Sequence, residues 1–209
     1  MTVGLFITFE GGDGCGKTTQ AEATRKLIET RGHDVLRTRE PGGTDLGLEI
    51  RELLLHSPIK VAPKAEALLF AADRAHHIAT KVRPALERGT YVVQDRYWDS
   101  SVAYQGAGRA LDGDEILNLS LWATNSFYPD LTVLLDLDPA IAAARVWSQG
   151  TPDKLEGEAF EFRTRLRDGF LAIAGREPDR FLVLDAGLPA DELTALIALR
   201  IDALIGAKA

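Results

Sequence analysis

Apolar positions along the chain fall into two kinds of run. Short, nearly continuous ones rich in strand formers occur at Leu5–Phe9, Tyr91–Val93, Leu131–Leu137 and Phe181–Leu184. Runs of this kind, without a polar alternate, read as strands buried on both faces and hence as a parallel sheet. Between them lie longer segments with apolar residues at helical spacing. The pattern predicts strands at about 5–10, 34–38, 91–95, 131–137 and 181–185. It predicts helices at about 16–31, 45–55, 64–88, 98–107, 113–127, 139–148, 158–174 and 190–205. Gly32 stops the first helix, Pro139 opens a later one, and Arg39-Glu40-Pro41-Gly42-Gly43-Thr44 forms a shaped loop. Alternating strands and helices predict one α/β domain over 1–209, a doubly wound five-stranded parallel sheet with helices on both faces. Ligands then belong at the C-terminal ends of the strands. A polar segment at about 146–158 is a candidate lid.

Composition narrows the function classes. Hydrophobic content of 45% and charged content of 26% suit a soluble globular protein, so nothing displaces the single-domain reading. A net charge of -7 argues against a general nucleic-acid surface, so any polyanionic ligand must be held by local arginines. One cysteine, Cys15, excludes an internal disulfide and suits a reducing compartment. The apolar start ends in Glu10 without a basic leader, and no stretch reaches membrane-span length. The expected location is the cytoplasm, with no membrane partner.

The first strand runs into Gly11-Gly12-Asp13-Gly14-Cys15-Gly16-Lys17-Thr18-Thr19, which fits glycine, four residues, Gly-Lys-Thr, between a strand and a helix. This is a P-loop, whose context is as diagnostic as its letters. Its glycines let backbone N–H groups curl around phosphate, and the helix dipole faces the same anion. Lys17 brings a full charge to the outer phosphates, and the Thr18 hydroxyl is a ligand for Mg²⁺. Asp95, at the end of a buried strand, is the expected second Mg²⁺ contact. The motif identifies nucleoside triphosphate binding without identifying the acceptor.

The helix at 64–88 speaks to the acceptor. Ala65, Leu68, Ala72, Ala75, Ala79 and Leu86 form one stripe, while Glu66, Phe70, Asp73, Arg74, His77 and Lys81 lie on the other side. Phe70 one turn from Arg74 suits a flat ligand with acceptor atoms, or simple packing of Phe70 under a loop. The four histidines show no shared metal spacing, and His76-His77 reads as helix surface. Trp98, Trp122 and Trp147 read as core or interface packing, and the Asp136 and Asp138 pair, which resembles an acid/base dyad, reads at a strand end as orienting backbone or a nearby arginine.

Several separated motifs, in order, resemble the thymidylate kinase family over nearly the whole chain. They are Phe9 to Gln20, Arg39 to Thr44, Leu69 to Ala75, and Asp95-Arg96-Tyr97 with Ser100, Ser101, Ala103, Tyr104 and Gln105. The resemblance implies ATP as phosphoryl donor, dTMP as acceptor, Mg²⁺ as cofactor and a homodimer built from helices like 64–88. It implies that Phe70 stacks on thymine, that Arg74 and Gln105 meet the base edge with Ser101 close by, and that Tyr104 packs against the deoxyribose. Asp13 would accept from the 3′-OH, and Arg96 and Arg51 would hold the acceptor phosphate, with Arg39 or Glu40 nearby. Lys17, Arg96 and Asp95 would be catalytic.

Two positions depart from the family pattern. Position 14 is Gly and 146–153 holds no basic residue; only Arg145 and Lys154 flank that gap, and of the two Arg145 is assigned as the transition-state cation, with a salt bridge or adenine packing left open. Cys15 stands where Ser or Ala is usual. Two other readings remain. One is a different nucleotide or nucleoside kinase of the same fold, in which Glu10 or Glu40 would serve as base. The other is a nucleotide-gated switch without an acceptor.

Overall fold

The first strand, β1 (Phe6–Glu10), sits at the middle of a five-stranded sheet because every one of its residues can be buried. The computed structural model describes residues 4–108, 111–149 and 159–208. Among these, β1 is joined by β2 (Val35–Arg39), β3 (Tyr91–Asp95), β4 (Leu131–Asp136) and β5 (Phe181–Asp185). All pairings are parallel, in the order β2-β3-β1-β4-β5. From β1 the chain goes out to the edge strand β2, returns to β3 beside β1, then crosses to β4 and β5 on the other side. That reversal opens a crevice at the C-terminal end of β1, where the P-loop begins.

The two-residue period of the strands divides the core. Ile7, Phe9, Val93, Val133 and Leu135 face one side, where they pack with Ile28 of α1 (Lys17–Thr30) and with Ile197 and Ile201 of α9 (Ala190–Lys208). Phe6 and Val92 face the other, against Tyr97, Trp98 and a long helical column. That column consists of α3 (Pro63–His77), a wider π-type turn at Ile78–Val82, and α4 (Arg83–Glu87). Leu134 packs on α8 (Phe160–Arg176) through Phe162, Leu166 and Phe170. The remaining helices are α2 (Asp45–Arg51), α5 (Trp98–Ser101), α6 (Gly113–Thr124) and α7 (Pro139–Gln149). No described helix is long and apolar enough to cross a membrane.

Several expectations need correction. The segment expected as one helix at 98–107 is helical throughout but changes type, from the short α5 to a π-type stretch at Val102–Gly108. The helix expected to reach 127 ends at Thr124, because Asn125 and Ser126 adopt left-handed backbone (φ 54° and 52°). Residues 146–149, assigned to a lid, continue α7, and Val146 is buried. Residues 150–158 of that segment lie outside the described residues. On α3 the small-residue stripe does not pack on the protein's own sheet: Ala65, Leu68, Ala72 and Ala79 are exposed, and of the stripe Leu86 alone is buried. The polar face is the one turned inward. Trp98 is core, whereas Trp122 is 80% and Trp147 64% exposed.

Candidate active site

The P-loop lies between β1 and α1, and its tightness follows from its neighbours. A side chain at Gly11 would put its Cβ 2.5 Å from the Leu135 carbonyl oxygen, and Gly11 has φ 132°. Lys17 is buried and folds back over the loop, donating to the carbonyls of Gly12 (2.7 Å) and Gly11 (3.1 Å). Thr18 Oγ1 donates to Asp95 Oδ2 at 2.8 Å, so the two expected Mg²⁺ contacts from α1 and β3 are adjacent. A cleft of about 730 Å³ opens here. Its walls include Asp13, Gly14, Gly16, Lys17, Thr18 and Thr19, faced by Arg39, Arg51, Lys81 and Arg145. Arg145 is tied to the chain after β5, donating to the Ala186 carbonyl at 3.3 Å. Cys15 is buried behind the loop, its sulfur 3.7 Å from Lys17 Nζ.

A second, narrower cavity of about 100 Å³ is lined by Phe70, Arg74, Tyr97, Ser101, Tyr104 and Gln105, with Pro41 and Leu55. Phe70 packs on Ile50 of α2 and on Leu54 and Leu55 of the helical turn that follows it, so the ring is a packing residue and a cavity wall at once, and its packing partners are helical rather than a loop. The two cavities share Asp13, Glu40, Arg51 and Arg96. The common wall is the geometric centre of the site.

Arg96 dominates that wall. It has left-handed backbone (φ 65°), a conformation costly for a non-glycine residue and found where a site demands it. Flanking bonds hold it there: its N–H donates to the Phe9 carbonyl, and Gln94 Nε2 donates to its carbonyl at 3.0 Å. The guanidinium pairs with Asp13 and donates to the Gly11 carbonyl, Ser100 Oγ and Tyr104 Oη. Tyr104 Oη in turn donates to Asp13 Oδ2 at 2.8 Å. Burial raises the Asp13 carboxyl, but the charges of Arg96 and Lys17 and the Tyr104 hydroxyl outweigh it, lowering the pKa to about 2. Asp13 is therefore a fixed anion that aims Arg96.

Behind Arg96 lies Glu10, fully buried, accepting from Tyr97 N–H (2.7 Å) and Ser100 Oγ (2.5 Å). Burial, with the Asp99 charge, pushes its pKa up to about 8 against the pull of Ser100 and Arg96. Glu10 lines neither cavity. The short α5 that carries Ser100 and Ser101 is pinned by Arg180, which grips Asp99 with two bonds (2.7 and 2.8 Å) and donates to Thr132 Oγ1.

The inward face of α3 organises the narrower cavity and the loop beside it. Arg74, 2% exposed, donates to Glu40 Oε2 (2.8 Å), Ser101 Oγ (3.0 Å), Ser120 Oγ (3.3 Å) and the Tyr97 carbonyl (3.5 Å). His77, expected on the surface, is fully buried: its ring links Glu40 Oε1 (Nδ1, 3.0 Å) to Thr38 Oγ1 (Nε2, 2.7 Å). Lys81 Nζ donates to the Gly43 carbonyl at 2.6 Å. Asp73 Oδ1 accepts from Gly42 N–H at 3.4 Å. The loop after β2, with a cis Glu40–Pro41 bond, is thus strapped to one helix at four points. A Cβ at Gly43 would come within 2.4 Å of the His77 ring, which fixes glycine there. Arg51 closes the loop from α2, donating to the Pro41 carbonyl at 3.1 Å. The sequence signal for His77 was available: it lies seven residues from Phe70 and three from Arg74, on their face. Ser120 and the Arg180–Asp99 pair carry no comparable local signal. Asp136 anchors Arg167 with two bonds, 2.6 and 2.8 Å, as its position at a strand end suggested.

Comparison with known proteins agrees with this geometry. The family model described as thymidylate kinase matches residues 9–197. The chain belongs to the thymidylate kinase family. Among curated members, it is 59% identical to the thymidylate kinase of Clavibacter michiganensis subsp. michiganensis over 207 residues, 99% of this chain and 98% of the relative. It is 60% identical to that of Leifsonia xyli subsp. xyli over 200 residues, 95% of each chain. With that of Deinococcus radiodurans it shares 50% identity over 197 residues, 94% of this chain and 96% of the relative. The five-stranded, all-parallel sheet with its helices, together with the family match, bears out the expected α/β class.

Proposed function

We propose that this protein transfers the terminal phosphoryl group of ATP to dTMP, giving ADP and dTDP, as the family name implies. The observation that carries the reading is the wall common to the two cavities. A triphosphate on the P-loop and a nucleotide beside Phe70 would point their phosphates at the same four residues, Asp13, Glu40, Arg51 and Arg96. Bringing two anions into line is the principal difficulty of phosphoryl transfer, and positioning plus charge neutralisation meet it.

In this reading the backbone N–H groups of Gly11 to Thr19 cradle the donor phosphates, and Lys17 leaves its carbonyl contacts to meet them. Arg96, aimed by Asp13 and Tyr104, holds the acceptor phosphate with Arg51, and Arg39 adds charge from the cleft wall. Arg145, on the wall of the donor cleft, stabilises charge on the transferring group. Phe70 covers the base face, Arg74, Gln105 and Ser101 meet its edge, and Tyr104 crowds the sugar. Thr18 and Asp95 offer a hydroxyl and a carboxylate, hard oxygen donors of the kind Mg²⁺ takes one or two of while phosphates and water complete its shell. Mg²⁺ held there would supply positive charge against the donor phosphates.

No general base is required, because a phosphate monoester with a second pKa of about 6 is mostly a dianion at neutral pH and attacks directly. A nucleoside acceptor would need one, and both candidate glutamates are engaged. Glu10 is off the cavity walls, and both Glu40 oxygens are taken, by Arg74 and His77. This favours the monophosphate acceptor. The deciding experiment is ATP-dependent phosphorylation of dTMP, dUMP, dCMP, dGMP, UMP and thymidine side by side. The expected preference is dTMP; ATP binding with no acceptor turned over would return the switch reading.

The exposed stripe Ala65, Leu68, Ala72 and Ala79, with Trp122 on the neighbouring α6, supports pairing of two copies through α3. A monomeric mass in solution at micromolar protein would overturn that pairing.

A further inference from the structure

Gln105 is 1% exposed and lines the acceptor cavity, and its Nε2 donates to Glu66 Oε1 at 3.1 Å. Glu66 opens a ladder on α3: Glu66, Phe70 and Arg74 are spaced by four residues and stack along one face. Unlike the other two, Glu66 is not on the cavity wall; it stands behind Gln105.

An amide can be seated either way round in a pocket, and its two ends have opposite hydrogen-bonding sense. A carboxylate only accepts, so Glu66 takes the NH₂ end of Gln105. The carbonyl end is what remains for the cavity. Arg74 lines the same cavity and has no acceptor atom, so what it can present there is a donor. Together the two present a donor beside an acceptor. That is the complement of an imide edge, a carbonyl next to an N–H, as in thymine or uracil. Cytosine offers the reverse, an amino group next to a bare ring nitrogen, and would meet donor with donor and acceptor with acceptor.

We propose that Glu66 is a specificity-determining positioning residue, which sets the orientation of the Gln105 amide and thereby makes the pocket select imide bases over cytosine. The inference deepens the proposed function and rests on the nucleobase lying beside Gln105. Glu66 touches no substrate; it acts through Gln105.

The test is a ratio. Initial rates with dTMP, dUMP and dCMP, at saturating ATP, give kcat/KM for each in the wild type, Glu66→Gln and Glu66→Lys. Glutamine at 66 has the same size but accepts and donates equally, so it no longer dictates how Gln105 sits. The expected result is a fall of about tenfold or more in the dTMP/dCMP ratio, since a mispaired buried polar group is what discriminates there. The dTMP/dUMP ratio should hold, because both bases have the same imide edge. Lysine at 66 can only donate, draws the carbonyl end of Gln105 toward itself, and should move the dTMP/dCMP ratio further in the same direction. An unchanged dTMP/dCMP ratio in both variants overturns the proposal. So does an equal loss for all three nucleotides, the signature of a structural role. Wild-type enzyme that leaves dTMP unphosphorylated overturns the function itself and is distinguishable from either outcome.

Discussion

Replacing Arg74 by methionine removes a charge while keeping most of the stem. The side chains of Arg74 and Glu40 are each 3% exposed, so the pair is shielded from solvent. Removing one partner strands the other: Glu40 keeps the His77 contact but loses its guanidinium, and Ser101 and Ser120 lose a donor. Breaking a buried ion pair in this way costs about 3–5 kcal/mol. For a chain of this size each kcal/mol lowers Tm by roughly 2–4 °C, so a fall of about 6–20 °C is expected. The assay is thermal unfolding of wild type, Arg74→Met, Glu40→Gln and the double variant at one pH, without nucleotide. If the stranded charge is the cause, the double variant melts well above the sum of the two single losses. The coupling should then exceed about 1 kcal/mol, outside the range for independent sites. In kinetics the same Arg74→Met protein should show a raised KM for dTMP and an unchanged KM for ATP. A Tm within 2 °C of wild type, or strict additivity in the cycle, would refute the reasoning.

Other outcomes follow from neighbouring contacts. Lys17→Ala should lower kcat by about 10²–10³-fold, in line with loss of one preorganised donor at developing charge, while calorimetry finds dTMP binding largely kept. Asp13 has a folded-state pKa of about 2 against an ordinary 3.8. Its stabilisation is therefore present above pH ~4 and lost as pH falls toward 2, and acid unfolding of Asp13→Asn should lack that component. The same variant should lower kcat/KM for dTMP by about 10–100-fold, since Arg96 loses a charge-assisted bond. Asp73 has the opposite sign: burial, with the Glu40 charge, raises its pKa from 3.8 to about 6. Its ionisation costs the fold nothing below pH ~4 and up to about 3 kcal/mol above pH 6, so Asp73→Asn should gain stability over wild type at pH 8 but not at pH 4.

Much of this was legible in the chain because it is encoded locally. The P-loop, the apolar strands and the ends of β4 and β5 each depend on a few consecutive residues whose chemistry leaves little choice. Phe70 and Arg74 were visible through helical spacing alone. What escaped was non-local. His77 looks like a surface histidine until the loop after β2 folds over α3 and brings Glu40 and Thr38 to its two nitrogens. The turn at Val102–Gly108 reads as ordinary helix because widening by one residue leaves no mark in composition, yet it determines where Tyr104 and Gln105 project. The stripe of alanines on α3 has core composition and faces outward, since the hydrophobic effect alone does not say which apolar surface a chain will cover. Glu66 was visible on the right face, but nothing in the letters joined it to a glutamine 39 residues on.

One helix, α3, lines the narrower cavity on its inner side and carries the apolar stripe on its outer side. The polar face of α3 and of the turn after it is contacted from Glu66 to Lys81 by several other segments, so a small rotation would misalign cavity wall, loop strap and guanidinium together. Substitutions along this helix are consequently constrained in pairs, inner against outer. An inhibitor series that wedges against Leu68 from outside could silence catalysis without competing with either nucleotide.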